Sequence, residues 1–528
     1  MISGALLAVL AGVVLAYYVH QKVRESLSRA AEAKKLGCRP PVADTCDDPI
    51  GISGTLLCIR AHSDNRFLDT VQQRIRSLQE RIGRPLKTVA LRTLFFRDIV
   101  VTFDPRNVQA ILALKAKDFD LGVNRTGNFK PLLGANGIFV ATGKLWEHSR
   151  AWLRPQFVRG NIHLDREEIH TRALITALER RAGPDGWTDL VDLQEFFFRY
   201  TLDSTTDFLF GQSVSTQQGP DTPAHDASFS QAIDKTQSGI SLGARLGPLY
   251  WLAHTPGFKR AVKTINAYID RFTHAAIRLR KDEQQGLDKG AEHQEGKDTF
   301  LYRLTEDSQD PVDLRNQLLS VLLAGRDTTA STLGWLFFVI ASPQYQPIFQ
   351  RLRNVIVREF GEQSSPSPGD ISLDRIRNCQ YLQWCINECL RLYPAVPINT
   401  RIAQVNTHLP TGGGPDGTAP IWINKGEEVT YSVHLLHRCE EIWGDDAAVF
   451  RPERWEKTVS RWDYLPFNAG PRTCIGQQPA LIRIAHLVIR FMLRIDAIDG
   501  SRIGPERHAL TLVDCPANGV NVRLRFAA

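Results

Sequence analysis

The residues from Phe467 to Gly476 have types and spacing that suit metal chemistry. They fit the pattern F-x-x-G-x-R-x-C-x-G at all five fixed positions, with Cys474 as the cysteine. A cysteine thiolate can ligate haem iron and donate electron density that favours O–O cleavage. A lone cysteine is otherwise most often buried and inert. Because five fixed residues at set spacing are hard to meet by chance, we predict that Cys474 is the axial ligand of a haem iron.

The other fixed residues of this segment have roles around the same group. Backbone N–H groups of such a loop can point at the sulfur and tune its potential. Gly476 lets the backbone pass close to the porphyrin and turn into a helix. Arg472 is suited to pair with a haem propionate, because a guanidinium makes charge-assisted contacts with carboxylates. We therefore predict that Phe467, Arg472 and Gly476 contact the cofactor.

Two charged segments precede the cysteine in a fixed order. Glu388-Cys389-Leu390-Arg391 fits E-x-x-R, with both charges on one helix face, and Phe450-Arg451-Pro452-Glu453-Arg454-Trp455 follows it. Alone, E-x-x-R is typical of a solvated surface pair. In this order, and with the cysteine segment, the chain resembles the cytochrome P450 superfamily over nearly all of its length after the first residues. The resemblance implies a mainly α fold with small β sheets and a buried triad of Glu388, Arg391 and Arg454.

The resemblance assigns further residues to the haem edge. Trp146-Glu147-His148-Ser149-Arg150 fits W-x-x-x-R, which in the family places an indole N–H and a guanidinium on the haem propionates. Trp146 would otherwise be a core residue. Arg401 is added because it follows the strand that reaches the haem edge in the family. His437 lies in a segment that resembles the family's, and we interpret it as a packed histidine.

A further segment, from Ala324 to Thr329, fits the family's pattern [AG]-G-x-[DE]-T-T. A glycine and two β-branched residues so close together are unfavourable inside a helix. The resemblance explains this cost, because it implies that Gly325 leaves room for dioxygen, Thr328 holds a water and Asp327 relays protons. Ala324 stands where some animal fatty-acid hydroxylases have a glutamate that esterifies the haem, so no covalent haem link is expected.

Within the superfamily, the chain resembles the fungal alkane and fatty-acid hydroxylases. The segments that carry this resemblance are Phe119 to Gly122, Leu153 to Phe157, Gly412 to Gly417 and Phe467 to Gln478. Pro479 departs from that group, which commonly has an aromatic residue there, but proline is tolerated in a first helical turn. Val396 and Ile398 resemble the strip that lines the family's substrate pocket. An apolar lining suits an alkyl chain, and it equally suits a terpenoid or a polyketide.

The resemblance also implies a reaction and its partners. The cofactor is haem b with a cysteine thiolate ligand, and one atom of dioxygen enters an unactivated C–H bond near the end of an alkyl chain. The sequence has no flavin or dinucleotide fingerprint, so NADPH–cytochrome P450 reductase is expected to supply electrons. One alternative is a tailoring cytochrome P450 of fungal secondary metabolism that oxidises a polyketide or terpenoid. A haem-thiolate isomerase or dehydratase, and a membrane-anchored binding protein without enzyme activity, are the others.

Helices must position these residues. Apolar residues recur at helical spacing in the ranges 169–181, 190–209, 261–280, 314–340 and 381–392, which predicts the main helices. Strand-like runs at 97–103, 421–423 and 428–432 predict small sheets. The polar stretch from 281 to 298 predicts a solvated connection between helices. The glycine-rich run from Gly412 to Gly417 lacks the Lys-Ser/Thr of a phosphate loop, so it predicts a hairpin turn.

The first residues carry the membrane signal. Ile2 to Val19 is an uncharged stretch, close to the roughly 20 residues that span a bilayer, and basic residues follow it, which places the body on the cytosolic side. A cleaved signal peptide is the alternative. We predict a transmembrane anchor at 1–20, a basic, proline-containing linker at 21–45 and a catalytic domain at 46–528. The expected location is the endoplasmic reticulum membrane, with a single pass.

Composition excludes several other classes. The hydrophobic fraction of 43% and the charged fraction of 23% are those of a globular protein. The net charge of +7 comes without long basic runs, so nucleic acid is not an expected partner. The nine cysteines lack the paired short spacings of a disulfide framework or a zinc site. The catalytic body is therefore expected in a reducing compartment.

Overall fold

The structure is a computed structural model that describes residues 20, 24, 27–44, 50–93, 97–158, 163–221, 223–286, 297–361 and 371–527. Contacts within the chain define two units. The first unit comprises Met1–Ile52, Ile75–Asp120 and Thr400–Tyr431, and the second comprises Ser53–Arg74, Leu121–Asn399 and Ser432–Ala528. Helices dominate the described residues and the sheets are small. The predicted fold class, mainly α with small β sheets, is confirmed.

Helices are numbered here in chain order. They are α1 (Ile52–Ser63), α2 (Phe67–Ile82), α3 (Pro105–Gln109), α4 (Val123–Leu133), α5 (Gly143–Leu153), α6 (Leu164–Glu179), α7 (Leu193–Phe210), α8 (Ala224–Leu246), α9 (Pro256–Gln284), α10 (Phe300–Leu304), α11 (Pro311–Ala341), α12 (Gln346–Phe360), α13 (Leu373–Asn378), α14 (Gln380–Leu392), α15 (Val433–Leu436), α16 (Glu440–Trp443) and α17 (Gln477–Arg494). The predicted long helices correspond to α6, α7, α9, α11 and α14, to within five residues at each end. Helical periodicity in the sequence therefore located the main framework correctly.

Strands are numbered in the same way. They are β1 (Val42–Asp44), β2 (Thr88–Thr93), β3 (Arg97–Thr102), β4 (Phe119–Asp120), β5 (Val191–Asp192), β6 (Ile398–Ala403), β7 (Thr407–Gly413), β8 (Ala419–Ile423), β9 (Glu428–Ser432), β10 (Ile495–Asp499), β11 (His508–Leu510), β12 (Asp514–Pro516) and β13 (Asn521–Phe526). The three predicted strands correspond to β3, β8 and β9.

The largest sheet of the described residues lies almost wholly in the first unit. Its strand order is β1-β2-β3-β9-β6-β4. In the same unit, β7 and β8 pair antiparallel, and the run from Gly412 to Gly417 connects them. Gly414 and Gly417 adopt φ of 78° and 73°, a conformation that glycine reaches at little steric cost. The predicted hairpin turn is confirmed.

Helix α11 is the structural centre of the second unit. Its first turn is fixed by Asp310, whose side chain accepts a hydrogen bond from the Val312 N–H at 2.8 Å, and by Pro311 at the first helical position. The helix packs against α7, α9, α14, α17 and β12. Apolar residues occur on all its sides, as expected of a buried helix. Antiparallel pairing of β10 with β13, and of β11 with β12, completes the β portion of this unit near the C-terminus.

The predicted transmembrane anchor at Ile2 to Val19 lies outside the described residues. Within the ranges that the structure does describe, no helix has both the length and the apolar character that crossing a bilayer requires.

Candidate active site

The predicted cysteine segment, Phe467 to Gly476, folds as a tight loop ahead of α17. The Cys474 N–H donates a hydrogen bond to the Phe467 carbonyl at 3.0 Å, which closes the loop. Asn468 and Gly470 adopt φ of 63° and 69°, and these left-handed residues reverse the chain direction. The short spacing of the motif therefore has a direct structural purpose, because it brings Cys474 back beside the start of the loop.

The Cys474 side chain has accessible surface and is also desolvated by the surrounding protein. It is exposed by accessible surface, and desolvation raises the pKa of the thiol. The Gly476 N–H donates a hydrogen bond to the sulfur and the Arg150 charge acts on it, and both lower the pKa against the effect of burial. These two contacts offset only part of the effect of burial, so the pKa of the thiol is raised overall, and a metal ion would be needed to hold the thiolate that ligates metals.

Two arginines flank Trp146 close to the cysteine loop. The guanidinium carbons of Arg472 and Arg150 lie 4.4 Å and 5.8 Å from the centroid of the indole ring. Arg150 Nη1 donates to the Thr473 carbonyl at 2.9 Å, and Arg472 Nη2 donates to the Ala141 carbonyl at 3.1 Å. Sequence reasoning had assigned Trp146, Arg150 and Arg472 to one role, and the structure brings the three side chains together.

Arg150 is a desolvated cation that has no carboxylate partner among the described residues. Desolvation lowers its pKa, and the Arg154 charge lowers it further. No carboxylate among the residues that the structure describes forms an ion pair with Arg150. A propionate would complete such a partly buried guanidinium through charge-assisted hydrogen bonds. The groups around Cys474 therefore fit a haem, whose iron Cys474 would ligate and whose propionates Arg150 and Arg472 would hold.

Helix α11 is buried along most of its length, but three of its positions have accessible surface. From Asn316 to Ala341 every position is buried except Ala324, Gly325 and Thr328. Thr328 is a neighbour of both other positions on the helix surface, because it lies three residues after Gly325 and four after Ala324. Thr328 Oγ1 donates to the Ala324 carbonyl at 2.7 Å, which leaves the lone pairs of the hydroxyl to accept from a water. The patch of Ala324, Gly325 and Thr328, called here the open patch, can border a small reactant.

The Asp327 side chain does not belong to the open patch and points to helix α8. Gln237 Nε2 on α8 donates to Asp327 Oδ2 at 2.5 Å, and Arg326 Nη1 donates to Oδ1 at 3.2 Å. Burial raises the pKa of the Asp327 carboxyl to about 6, against the lowering effect of Arg326. Arg326 is itself paired with Asp234 at 2.7 Å. A carboxyl with a pKa near neutrality can both take up and release a proton, which is what a relay requires.

Gly325 allows a close helix contact. A Cβ at this position would lie 3.2 Å from Thr205 Oγ1 and 3.3 Å from Thr205 Cγ2 on α7, tighter than ordinary van der Waals contact. Thr205 Oγ1 also accepts from Arg483 Nη1 at 3.2 Å, and Arg483 pairs with Glu167 at 2.6 Å. The missing side chain thus serves the approach of α7 to α11. The predicted role of Gly325 in leaving room for dioxygen stays a prediction.

The three residues of the predicted buried triad meet in the second unit. Arg391 Nε and Nη2 donate to the two Glu388 oxygens at 2.9 Å and 2.8 Å, and Arg454 Nε lies 3.4 Å from Glu388 Oε1. Glu388 and Arg391 have no exposed surface, and Arg454 is 9% exposed. Trp455 Nε1 and the Arg451 N–H also donate to the Glu388 carboxylate. Arg454 Nη1 also donates to Asp446 Oδ1 at 2.9 Å, so a second carboxylate balances the second arginine, as a buried ionic cluster requires.

His437 links this triad to the cysteine loop. Its Nδ1 lies 3.0 Å from the Arg391 carbonyl, and its Nε2 accepts from the Leu465 N–H at 2.8 Å. These partners require a neutral ring with the proton on Nδ1, and burial correspondingly lowers the pKa of His437 to about 3. Leu465 lies two residues before Phe467. The residue interpreted as a packed histidine is therefore also a connector between α14 and the cysteine loop.

Val396 and Ile398 alternate with a buried residue. Both are partly exposed, whereas Pro397 between them is buried. Arg401 belongs to the first unit, where it is 5% exposed and lies over the Tyr431 ring at 5.6 Å. The assignments of Val396 and Ile398 to the pocket, and of Arg401 to a propionate, stay predictions.

Sequence reasoning missed the residues that hold the motifs in place. Gln237, Thr205 and Arg483 contact the predicted site through helices distant in sequence. Each occurs in a helix at a position that carries no local sequence pattern. Only a structure could reveal them.

The chain is similar to known proteins of one family over most of its length. The family model described as Cytochrome P450 matches residues 63–501. Cytochrome P450 monooxygenase g430 of Fusarium sp is 39% identical over 98% of this chain and 90% of its own length. Cytochrome P450 52A13 of Debaryomyces hansenii is 39% identical over 81% of each chain. Cytochrome P450 monooxygenase himC of Aspergillus japonicus is 38% identical over 93% of this chain and 84% of its own length.

A helical protein with a cysteine loop, a buried Glu-Arg-Arg cluster and an open patch on its central helix has the features of a haem-thiolate enzyme. The chain belongs to the cytochrome P450 family, whose members use a thiolate-ligated haem and dioxygen. The predicted resemblance is confirmed, and the relatives named as monooxygenases support an enzyme over a binding protein without activity.

Proposed function

We propose that this chain inserts one oxygen atom of dioxygen into an unactivated C–H bond of an alkyl-chain substrate, near the end of that chain, with Cys474 as the axial ligand of haem b. The second oxygen atom is reduced to water, and this reduction consumes two electrons and two protons. The observation that carries this proposal is the closed cysteine loop, with Arg150 bonded to its Thr473 carbonyl and with Arg150 and Arg472 on either side of Trp146. The cysteine loop and the open patch occur in the same unit.

Residues of the chain have separate tasks in this reaction. When bound, haem supplies the activation of dioxygen. Arg150, Arg472 and Trp146 hold its propionates, and Phe467 and Gly476 keep the backbone of the loop close to it. Thr328 orders a water at the open patch through its hydroxyl.

Asp327 lies next to Thr328 in sequence and supplies protons to that water. Gln237 and Arg326 hold its carboxyl in place, and burial raises its pKa to about 6. Loss of a proton near neutral pH therefore requires little free energy.

The alkyl-chain substrate is supported by two observations. The chain resembles the fungal alkane and fatty-acid hydroxylases, and matches several relatives with the designation 52A, among them Cytochrome P450 52A5 of Candida maltosa, which is 34% identical over 93% of this chain. Val396 and Ile398 also offer partly exposed apolar side chains two residues apart. An apolar strip binds a hydrocarbon through burial of its surface.

Tailoring of a terpenoid or polyketide is the second candidate. Relatives with other designations, such as Cytochrome P450 monooxygenase alt2 of Alternaria solani at 35% identity, match 97% of this chain. The motifs of the two candidates are the same, because both reactions need the same haem chemistry. Only the shape of the substrate distinguishes them.

Electron supply and membrane attachment complete the proposal. NADPH–cytochrome P450 reductase delivers the electrons, residues 1–20 anchor the chain in the endoplasmic reticulum membrane, and residues 46–528 form the cytosolic catalytic domain. Deletion of residues 2–19 should move the protein from the membrane fraction to the soluble fraction with its haem retained. Loss of haem in the truncated protein would contradict this division of the chain.

The reaction is tested with reductase-supplemented membranes that contain the protein. Hexadecane, hexadecanoic acid, a sesquiterpene and an aromatic polyketide are each incubated with NADPH, and products are identified by mass spectrometry. We expect hydroxylation near the end of the alkyl chain of hexadecane, of the acid or of both. Oxidation of the terpene or polyketide with no alkyl product would instead support the tailoring candidate.

A further inference from the structure

Gln317, near the start of α11, is a buried amide that has no part in the tasks assigned so far. It is 1% exposed. Its Oε1 accepts a hydrogen bond from the Ile138 N–H at 3.2 Å, and its Nε2 donates to the Asn136 carbonyl at 2.7 Å and to Ser149 Oγ at 3.0 Å. The two backbone partners define the orientation of the amide, because an N–H only donates and a carbonyl only accepts. Both ends of the Gln317 side chain therefore bind segments that lie beside α11.

The first of these segments runs from Asn136 to Ala141 and is called here the Asn136 turn. The Ala141 N–H donates to the Gly137 carbonyl at 2.9 Å, which closes the turn. The Ala141 carbonyl, at the end of the turn, accepts a hydrogen bond from Arg472 Nη2 at 3.1 Å. Because Gln317 binds backbone groups at the start of this closed turn, it fixes the carbonyl that Arg472 binds at the end.

The second segment is α5, which Gln317 contacts through Ser149. Ser149 is 1% exposed, and its hydroxyl, which accepts from Gln317, also donates to the Asn136 carbonyl at 2.8 Å. The next residue is Arg150, which donates to the Thr473 carbonyl of the cysteine loop at 2.9 Å. Backbone hydrogen bonds make a helix stiff over a few residues. The contact at Ser149 therefore fixes the part of the helix backbone that carries Arg150.

Two further residues of α11 contact the same turn at its first side chain. Asn316 Nδ2 donates to Asn136 Oδ1 at 2.5 Å, and the Asn136 side-chain amide donates to Asp313. Both of these contacts are made with the Asn136 side chain. Gln317, by contrast, binds the backbone of the turn and the hydroxyl of Ser149 together. It therefore joins both the Asn136 turn and α5 to the central helix.

We propose that Gln317 is a positioning residue, which sets the places of Arg150 and Arg472 and so the hydrogen bonds that these arginines make with the haem propionates. This inference rests on the proposed function, because it requires haem bound at Cys474. The two guanidinium carbons come from different segments and lie 5.8 Å and 4.4 Å from the centroid of the Trp146 ring. A hydrogen bond weakens steeply when its angle or length departs from the ideal geometry. A shared support on α11 keeps both guanidinium groups in place for one cofactor.

Haem release from the full-length, haem-loaded protein tests this role. Transfer of ferric haem to excess apomyoglobin is timed for the parent, Gln317→Leu, Ser149→Ala and Gln346→Leu, and melting temperatures are measured on the same samples. Gln346 is the matched control, because its Nε2 donates to the carbonyls of Ala341 and Ile498 at 3.0 Å and 3.3 Å, at the opposite end of α11. We expect release to be about tenfold faster in Gln317→Leu, the effect of weakening one charge-assisted hydrogen bond. Ser149→Ala should show a smaller change in the same direction, and Gln346→Leu should release haem at the parental rate.

Resonance Raman spectra distinguish positioning of the arginines from a general loss of stability. The bending bands of the propionates report the hydrogen bonds that these carboxylates accept. We expect these bands to shift in Gln317→Leu and Ser149→Ala and to stay unchanged in Gln346→Leu. A double-mutant cycle then tests whether the effect passes through an arginine. Gln317→Leu should accelerate release less in an Arg472→Gln background than in the parent, because one of the arginines through which it acts is already removed.

Two results would overturn the role of Gln317. One is propionate bands in Gln317→Leu and Ser149→Ala that match those of the parent, even with faster release, because Gln317 would then support only the fold. The other is an equal acceleration of release by Gln317→Leu in the parent and in the Arg472→Gln background. If Gln317→Leu does not fold, Ser149→Ala decides by the same two measurements. A parent without the thiolate-type ferrous carbonyl band would overturn the proposed function itself, whereas a parent with that band and variants with unchanged propionate bands would overturn this inference alone.

Discussion

Gln237 on α8 and Asp327 on α11 are joined by a hydrogen bond of 2.5 Å between Nε2 and Oδ2. This contact fixes the carboxyl toward α8, whereas Thr328, the next residue, belongs to the open patch. Successive residues of a helix are turned by about 100°, so the two functional side chains leave α11 in different directions. A proton that passes from Asp327 to the water at Thr328 must therefore go around the helix and not directly between the side chains.

Asp327→Asn should remove a pH dependence of stability. Burial raises the pKa of this carboxyl in the folded state to about 6, from its ordinary value of about 4, so the folded state binds the proton more tightly. The parent should lose stability as pH rises from about 4 to 6 and change little above that range. The loss is on the order of 3 kcal/mol at most, at 1.4 kcal/mol for each unit of pKa.

Melting temperatures followed by circular dichroism between pH 4.5 and 7.5 check this expectation. Asp327→Asn should show a smaller decrease with pH than the parent does. Asp64→Asn is the control, because Asp64 is exposed and makes only a long ion pair with Arg60 at 3.9 Å. The same pH dependence in Asp327→Asn and the parent would mean that Asp327 is ionised throughout, and would remove it as a proton donor near neutrality.

The sequence predicted the motif residues but not the direction of their side chains. The pattern from Ala324 to Thr329 places Gly325, Asp327 and Thr328 on a helix, and the structure agrees. The structure also shows that the missing side chain of Gly325 leaves space for Thr205, and that the Asp327 carboxyl faces Gln237. Both partners come from helices that pack on α11 in three dimensions. A single sequence contains no local signal for such contacts, because they depend on how distant helices meet.

Cys474→Ser should abolish the thiolate-type absorption band of the reduced, carbon-monoxide-bound protein. A serine hydroxyl is a harder and weaker ligand than a thiolate, so it does not donate the same electron density to iron. The absorption spectrum of the purified variant is compared with that of the parent. Cys439→Ser is the control, since Cys439 lies outside the cysteine loop. Retention of the band in Cys474→Ser would remove Cys474 as the axial ligand.

Thr328→Ala should uncouple NADPH consumption from product formation. Without the hydroxyl, the water at the open patch loses a partner and protons are delivered to the wrong atom, so hydrogen peroxide is released. Product formed per NADPH should fall on the order of tenfold, below the effect of losing a complete general acid because water replaces part of the function. Haem content and substrate binding should change little.

Thr329→Ala is the matched control for this variant. Thr329 is the same residue type one position along α11, but it is 2% exposed and lies outside the open patch. NADPH consumed, peroxide released and hydroxylated product are measured for the parent and both variants. If Thr328→Ala is as well coupled as the parent, Thr328 has no part in proton delivery.

The triad shows what sequence order can and cannot establish. The E-x-x-R pattern alone is typical of surface helices, and the position of Glu388 and Arg391 before the cysteine segment made burial the better interpretation. His437, by contrast, was interpreted only as a packed histidine. Its role depends on two backbone groups, the Arg391 carbonyl and the Leu465 N–H. Backbone partners leave no trace in residue types, so the link to the cysteine loop was not predictable.

Glu388→Gln should destabilise the protein strongly and lower its haem content. The Glu388 carboxylate accepts hydrogen bonds from Arg391, Arg454 and Trp455. The glutamine side chain would have nearly the same size as the carboxylate side chain but no charge. Arg391 would then be a buried cation without a carboxylate, a change that typically costs 3–5 kcal/mol.

Haem content should decrease because Arg391 holds, through hydrogen bonds, segments that support the cysteine loop. Its Nη1 donates to the carbonyls of His437 and Ala447 at 2.7 Å and 2.6 Å, and His437 in turn binds the N–H of Leu465. A displaced Arg391 side chain releases these carbonyls, and the loop that holds Cys474 begins only two residues beyond Leu465. Destabilisation and haem loss should therefore occur together.

The control for this prediction is Glu195→Gln. Glu195 makes an ion pair with Arg199 one turn along α7, but its side chain is 59% exposed, and such surface pairs contribute at most about 1 kcal/mol. Melting temperature and haem per protein are measured for the parent and both variants. We expect a large decrease in both quantities for Glu388→Gln and little change for Glu195→Gln. Equal values in the two variants would show that the buried triad does not support the cysteine loop.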